Sequence, residues 1–187
     1  MFLKNLNPRG SLKARSSVRR SLLRRSGSAV LELALTLSIL FSICYGLIEY
    51  GYYFYVKNTM EGAAREGCRA GIVAGASIAS GAASCNTVIA NQLQVANLLP
   101  PGYTVSGSGS SYTIGSYTVT YTDTGPGSGS TSSPAAVSNL STMAVGDTLN
   151  VSISANWGVV GQAFRPAALI GSGKNLVTAS AMRKEGD

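Results

Sequence analysis

Residues 27–56 have the sequence GSAVLELALTLSILFSICYGLIEYGYYFYV, and this stretch decides the fold. It contains no Lys, Arg, Pro or Asp, and Glu32 and Glu49 are its only charged side chains. About 20 apolar residues in an α-helix are enough to cross a bilayer. Tyrosines collect toward its carboxyl end, as is typical of a membrane–water interface; they are Tyr45, Tyr50, Tyr52, Tyr53 and Tyr55. The stretch therefore predicts a transmembrane helix over residues 28–56.

The segment before the helix, residues 1–27, is basic and rich in serine. It carries eight Lys and Arg side chains and no acid, whereas residues 28–187 carry seven basic and eight acidic side chains. The net charge of +7 therefore comes from this leader, and the rest of the chain has no basic excess with which to bind nucleic acid. Basic flanks stay on the cytoplasmic side of a membrane, which predicts a cytoplasmic N-terminus and an exported domain over residues 57–187. The apolar run is too long for a secretory signal peptide.

The junction between leader and helix has a distinctive pattern. Gly27 is followed by Ser28, and Glu32 comes four residues after Ser28 inside the apolar run. A carboxylate in such a run is costly, so it either lies near water at the segment's end or has a function. The pattern resembles the processing site of type IV prepilins, in which a membrane-embedded peptidase cuts after the glycine. The resemblance implies a cut between Gly27 and Ser28. Glu32 would then pair with the new α-amino group of Ser28 on an adjacent subunit.

Three further stretches extend this resemblance. They are LIEYG at residues 47–51, EGAAREGCRAG at residues 61–71 and VTASAMRKE at residues 177–185. With residues 27–75 as a whole, they resemble the TadE-like minor pilin (pseudopilin) family of the tight-adherence (Tad/Flp) pilus systems. Leu33 and Ser38 depart from the family pattern, which usually has an aromatic residue at the first position and often a proline at the second.

The family resemblance carries expectations about function. It implies a non-enzymatic structural or assembly component of a Tad type IV pilus, held in the cytoplasmic membrane with its C-terminal domain on the periplasmic or extracellular side. The expected partners are the prepilin peptidase, other pilin subunits, pilus assembly proteins and the membrane. The alternative is an uncleaved single-span membrane protein whose exported domain is an adhesin or a sensor. The N-terminus of the mature chain distinguishes the two.

The exported part predicts a small α+β domain. Residues 76–85 are small and suggest a flexible connection, after which Asn86–Leu99 has an amphipathic helical pattern that ends at two prolines. Its predicted buried positions are Val88, Leu93, Val95, Ala96 and Leu99. Residues 112–122, Thr148–Trp157 and Asn175–Met182 have the composition or alternation of strands. An antiparallel sheet of three or four such strands needs helices to cover one face. The predicted fold class is thus α+β, a transmembrane helix continuing into a pilin-like exported domain with a small antiparallel sheet.

Small residues recur every four positions where the first helix leaves the membrane. Ala63, Gly67, Gly71 and Gly75 would form one stripe of a helix, although each glycine costs roughly 1 kcal/mol relative to alanine. Close packing against the stripe, by the protein's own sheet or by a neighbouring subunit, is the expected compensation. On the same helix, Glu61–Arg65 and Glu66–Arg69 have the spacing of ion pairs.

The residue types exclude several kinds of active site. There is no histidine, so neither a Ser–His–Asp triad nor a Cys–His pair is available, and three cysteines cannot form a Cys₄ zinc site. No phosphate-binding or dinucleotide-binding glycine motif occurs. The sequence predicts no enzyme, no catalytic residue, no cofactor and no metal.

Two cysteines lie beyond the span, in a compartment that is expected to be oxidising. A disulfide between Cys68 and Cys85 would close a loop of about 17 residues and stabilise the fold by about 3 kcal/mol. The alternative is a pair of free, buried thiols.

Overall fold

The computed structural model describes the backbone of residues 11–73, 78–125, 135–136, 143, 145–164, 166 and 168–185, and the side chains of these residues except 11–26, 78–83, 135–136 and 163. The chain divides into two units, Met1–Gly46 and Leu47–Asp187. The second unit begins before the predicted domain boundary at residue 57, and it contains the last part of the predicted span.

Helix α1, Ser11–Val73, contains the whole predicted span. Within the described residues, its segment Gly27–Val73 is the one helix that is long and apolar enough to cross a membrane, and its most apolar 18 residues have a mean hydropathy of 2.0. The large apolar side chains of residues 28–46 are exposed, as a lipid-facing surface requires. The hydroxyls of Thr36, Ser38 and Ser42 donate to backbone carbonyls four residues earlier, at 2.8–2.9 Å. These bonds satisfy polar groups that lipid cannot.

Helix α2, Ile78–Val95, begins and ends earlier than predicted. The prediction of a flexible connection at residues 76–85 is wrong for the described residues 78–85, which form the first turns of this helix. Its carboxyl end is closed by Asn97, which has a φ of +55°. The N–H of Asn97 donates to the Gln94 carbonyl and that of Leu98 to the Leu93 carbonyl, both at 2.9 Å. This is the Schellman arrangement, and it stops the helix before the prolines that we expected to end it.

The buried side of α2 also differs from the prediction. Val95, predicted to be buried, is 84% exposed, whereas Leu93 and Leu99 are buried as predicted. The buried stripe of the helix begins at Cys85 and repeats at helical spacing, and its members are Cys85, Asn86, Ile89, Ala90 and Leu93. Val88 and Ala96 are half-buried, so Val95 is the one predicted position that the structure contradicts. The buried stripe starts at Cys85, one residue before the predicted start of the helix at Asn86.

The sheet is antiparallel throughout, with the order β1-β2-β3-β5-β6 and β4 paired to β3. Its strands are β1 Val105–Ser108, β2 Ser111–Ile114, β3 Tyr117–Thr124, β4 Ala135–Ala136, β5 Thr148–Asn156 and β6 Asn175–Arg183. The predicted strand stretch at residues 112–122 is in fact a hairpin. Gly115 has a φ of +58° and turns the chain between β2 and β3, a conformation that glycine adopts without steric cost. Helix α3, Trp157–Val160, and a 3₁₀ turn, Gln162–Phe164, follow β5.

One face of the sheet is buried, and its pattern was predicted. Tyr117, Val119 and Tyr121 of β3 point into the core, and alternate residues of β5 do the same. They share one buried cluster with α1, through Val56, Met60 and Ala64, and with α2, through Ile89 and Leu93. Helices therefore cover the sheet's apolar face, and the predicted α+β fold class is confirmed.

Candidate processing and assembly site

Gly27 and Ser28 lie within α1, and both are exposed. A Cβ atom added to Gly27 would meet no atom within 4 Å, so nothing described surrounds this peptide bond. A protease needs its target backbone extended, which means that a helical site must unwind locally. Glycine makes that unwinding about 1 kcal/mol easier than alanine does. The sequence thus places an accessible and easily opened position at the edge of the apolar run.

Glu32 is also exposed on α1, in the first part of the apolar run. It lies four positions after Ser28, so both lie on one side of the helix, about 6 Å apart along its axis. The Glu32 backbone carbonyl accepts the Thr36 hydroxyl at 2.8 Å. Among the residues that the structure describes, no basic side chain pairs with the Glu32 carboxylate.

The second carboxylate of the apolar run, Glu49, has a structural role that was not predicted from the sequence. Glu49 is completely buried. Its Oε2 accepts the Leu169 N–H at 3.0 Å and its Oε1 accepts the Ile170 N–H at 2.9 Å. Each oxygen of the buried carboxyl group thus has a hydrogen-bond partner, as buried polar groups require. Glu49 therefore fastens the connection between β5 and β6 to α1. Its place in an apolar run and in the LIEYG motif marked it as unusual, but its partners lie far along the chain.

The tyrosines of the predicted interface divide into two groups. Tyr52 and Tyr53 are partly buried against Trp157, with ring centroids 5.9 and 5.2 Å from the indole. Tyr52 also lies 5.1 Å from the Phe164 ring. Tyr45, Tyr50 and Tyr55 are exposed, as the prediction of an interfacial belt requires. Tyr52 and Tyr53 instead join α1 to the end of β5, where Trp157 is completely buried.

Cys68 and Cys85 are free thiols in the structure, in contrast to the disulfide that we expected. Both are buried, and they donate to different carbonyls. The Cys68 thiol lies 3.2 Å from the Ser180 oxygen, and the Cys85 thiol lies 3.1 Å from the Gly67 oxygen. Burial raises the pKa of both thiols, that of Cys85 to about 12. A neutral thiol that donates a hydrogen bond behaves here as a small core residue.

The other predicted features of the first helix have clear outcomes. The ion pairs Glu61–Arg65 and Glu66–Arg69 are confirmed, and both are exposed. The small-residue stripe is packed at Gly67, but the element against it there is α2 of the same chain. A Cβ atom on Gly67 would lie 2.7 Å from Ile89 Cγ1. The expected partners, the sheet or a neighbouring subunit, were therefore wrong at this position, and Gly75 lies outside the described residues.

The comparisons with known proteins agree with the resemblance. Residues 27–69 match the family model described as TadE-like protein, and the match begins at Gly27. The predicted resemblance to this family is therefore confirmed over that stretch. The family is structural and pilus-associated, and it is not an enzyme family. No curated protein and no solved structure matches the chain. In the described part of the chain, no group of three His, Cys, Asp or Glu residues is arranged to hold a metal ion.

Proposed function

We propose that this protein is a TadE-like minor pilin, or pseudopilin, that a prepilin peptidase cuts after Gly27 and that joins the assembly of a Tad type IV pilus. The observation that carries the proposal is the family match over residues 27–69, which begins at the glycine of the cut site. Its partners are other pilin subunits, pilus assembly proteins and the membrane, and it has no catalytic task. The exposed, easily opened helix at Gly27 supports cleavage there.

Charge and apolar length support the membrane orientation. The leader carries all of the chain's net positive charge on one side of the span. The N-terminus of the precursor is therefore on the cytoplasmic side of the cytoplasmic membrane, and the C-terminal domain is periplasmic or extracellular. Cleavage removes the basic leader but leaves the apolar part of α1, so the mature protein stays in the membrane until its helix joins other pilin helices.

Glu32 is the residue that we assign to assembly. An unpaired carboxylate among exposed apolar side chains is costly in lipid or in a helix bundle. Cleavage creates a cation, the α-amino group of Ser28, at the start of every mature subunit. Pairing of Glu32 with that group on an adjacent subunit offsets the cost for both charges, and it fixes the axial register of the two helices. Loss of one partner of a buried charge pair typically costs about 3–5 kcal/mol.

The test compares Glu32→Gln with wild type for membrane level, processing and co-purification with other pilins. Membrane insertion should be unchanged because the span keeps its length and loses a charge. Cleavage should also largely survive because it depends mainly on Gly27. Co-purification should fall at least tenfold. Glu61→Gln is the matched control, since it removes an exposed carboxylate from the same helix beyond the span. Normal co-purification of Glu32→Gln at equal membrane level would contradict the assembly role of Glu32.

A further inference from the structure

The connection between β5 and β6 exposes three large apolar side chains. They are Val159, Phe164 and Leu169, at 54%, 53% and 57% exposure, and they are called here the apolar loop surface. Apolar side chains that are exposed next to one another mark interaction sites for proteins or membranes. The loop is held in place, because the flanking residue Ile170 is buried and its backbone is bonded to α1.

Two contacts fix the position of this loop along α1. Glu49 holds the backbone of Leu169, and Tyr52 lies against the ring of Phe164. Glu49 directly follows the charge-free run of residues 33–48, and Tyr52 lies three positions further along the helix. A helix rises 1.5 Å per residue, so residues 28–48 span about 30 Å, which is the thickness of the hydrocarbon core. Glu49 and Tyr52 then lie at the level of the headgroups on the exported side. If the hydrocarbon core begins at a residue later than 28, Glu49 and Tyr52 lie closer to the centre of the membrane.

We infer that the apolar loop surface sits in the headgroup region of the same membrane that α1 crosses. The occupant is a lipid bilayer, and the surface continues the contact that the span already makes. Phe164 and Leu169 are of the type that enters this region, and exposed tyrosines on α1 accompany them at the same level. The exported domain is thus held at the membrane by its loop as well as by its helix. This inference requires the membrane span, but it does not depend on cleavage after Gly27 or on pilus assembly.

Depth measurements with nitroxide labels test the inference on the full chain. The background is Cys44→Ala, because Cys44 is exposed whereas Cys68 and Cys85 are buried. Labels are placed at Phe164→Cys and Leu169→Cys in phosphatidylcholine–phosphatidylglycerol nanodiscs that hold one chain each. Ile39→Cys, inside the span, reports the hydrocarbon core. Val145→Cys, which is 66% exposed just before the distant end of β5, reports the aqueous side.

The measured quantity is the ratio of label accessibility to oxygen and to a water-soluble nickel chelate. We expect the ratio at positions 164 and 169 to be at least threefold that at position 145 and below that at position 39. Ratios at 164 and 169 equal to that at 145 would overturn the inference. So would protection that appears only with two chains in a disc, which would assign the surface to a second copy. A ratio at position 39 equal to that at position 145 would show that α1 does not cross the membrane, and it would overturn the inference as well.

Discussion

Glu49 on α1 accepts a 2.9 Å hydrogen bond from the backbone N–H of Ile170, and its other oxygen accepts the adjacent amide. A buried carboxylate at the end of an apolar helix is thus satisfied by a connection from the opposite end of the chain. The relationship explains how an acid is retained where apolar residues predominate, and it ties the sheet to the membrane helix.

The first expectation follows from the use of both carboxylate oxygens. Glu49→Gln keeps one acceptor oxygen but turns an NH₂ group toward one of the two amides. An amide left without an acceptor costs about 1–3 kcal/mol. Hydrogen exchange should therefore speed up at Leu169 or Ile170, and the unfolding temperature should fall. Glu61→Gln, at an exposed ion pair, should change stability by less than about 1 kcal/mol. Unchanged exchange at both amides in Glu49→Gln would show that the clamp is not needed.

The second expectation concerns the contact between Gly67 and Ile89. Gly67→Ala puts a methyl group 2.7–2.8 Å from Ile89, a completely buried side chain that must shift. Overpacking typically costs 1–3 kcal/mol, which equals or exceeds the roughly 1 kcal/mol gained in helix propensity. Gly62→Ala is the control, because a Cβ there meets nothing within 4 Å. Denaturation in detergent should show Gly62→Ala to be more stable than wild type and Gly67→Ala to be less stable than Gly62→Ala. Equal stabilisation by the two changes would mean that α2 does not lie against this glycine.

These residues also show where sequence patterns succeed and where they stop. The alternation of Thr148–Trp157 gave the buried face of β5 correctly, because a two-residue period depends only on local geometry. The Gly67 stripe indicated close packing, but helical spacing alone contains no information about the partner. The sequence shows Glu49 as an unusual charged residue in an apolar run, but it does not indicate what Glu49 binds. Two of its partners are the backbone N–H groups of Leu169 and Ile170, and every residue except proline carries such a group, so a side-chain pattern does not single them out.

The third expectation is a pH effect of the two buried thiols. Burial raises their pKa values above the ordinary 9.0, so the native state holds its protons while the unfolded state releases them. The contribution of the two protonated thiols to the free energy of unfolding is thus fully present below about pH 9, and it is lost as the pH rises toward 12. The loss is at most about 1.4 kcal/mol per pH unit for each thiol. The free energy of unfolding of the reduced full chain, measured in urea, should fall between pH 9 and 10, before ionisation of the buried tyrosines contributes.

Cys85→Ala provides the control for the thiol effect. The variant should be less stable than wild type at pH 7, because it leaves a cavity, but its stability should fall less steeply from pH 9 to 10. The wild-type protein, denatured without reduction, should also react with three equivalents of a maleimide, one for each cysteine. A flat wild-type profile, or a single reactive thiol, would favour the disulfide between Cys68 and Cys85 over the free thiols of the structure.

The fourth expectation concerns the residue at the cut. Gly27→Ala should leave part of the precursor uncut, and Gly27→Val should leave nearly all of it, because a branched side chain both stiffens and blocks the site. Neither change should disturb the fold, since a Cβ at Gly27 meets no atom within 4 Å. Immunoblots of membranes from cells with the cognate peptidase measure the fraction processed. Complete cleavage of Gly27→Val at wild-type rate would show that the peptidase does not select this glycine.

The central claim is that the mature chain begins at Ser28, and the intact mass of the wild-type protein tests it most directly. The protein is purified from membranes of cells that carry the prepilin peptidase and, in parallel, from cells that lack it. The account predicts a chain that lacks residues 1–27 in the first case and a full-length precursor in the second. A mature chain that begins at Met1 or Phe2 in both would contradict the account and favour an uncleaved membrane protein.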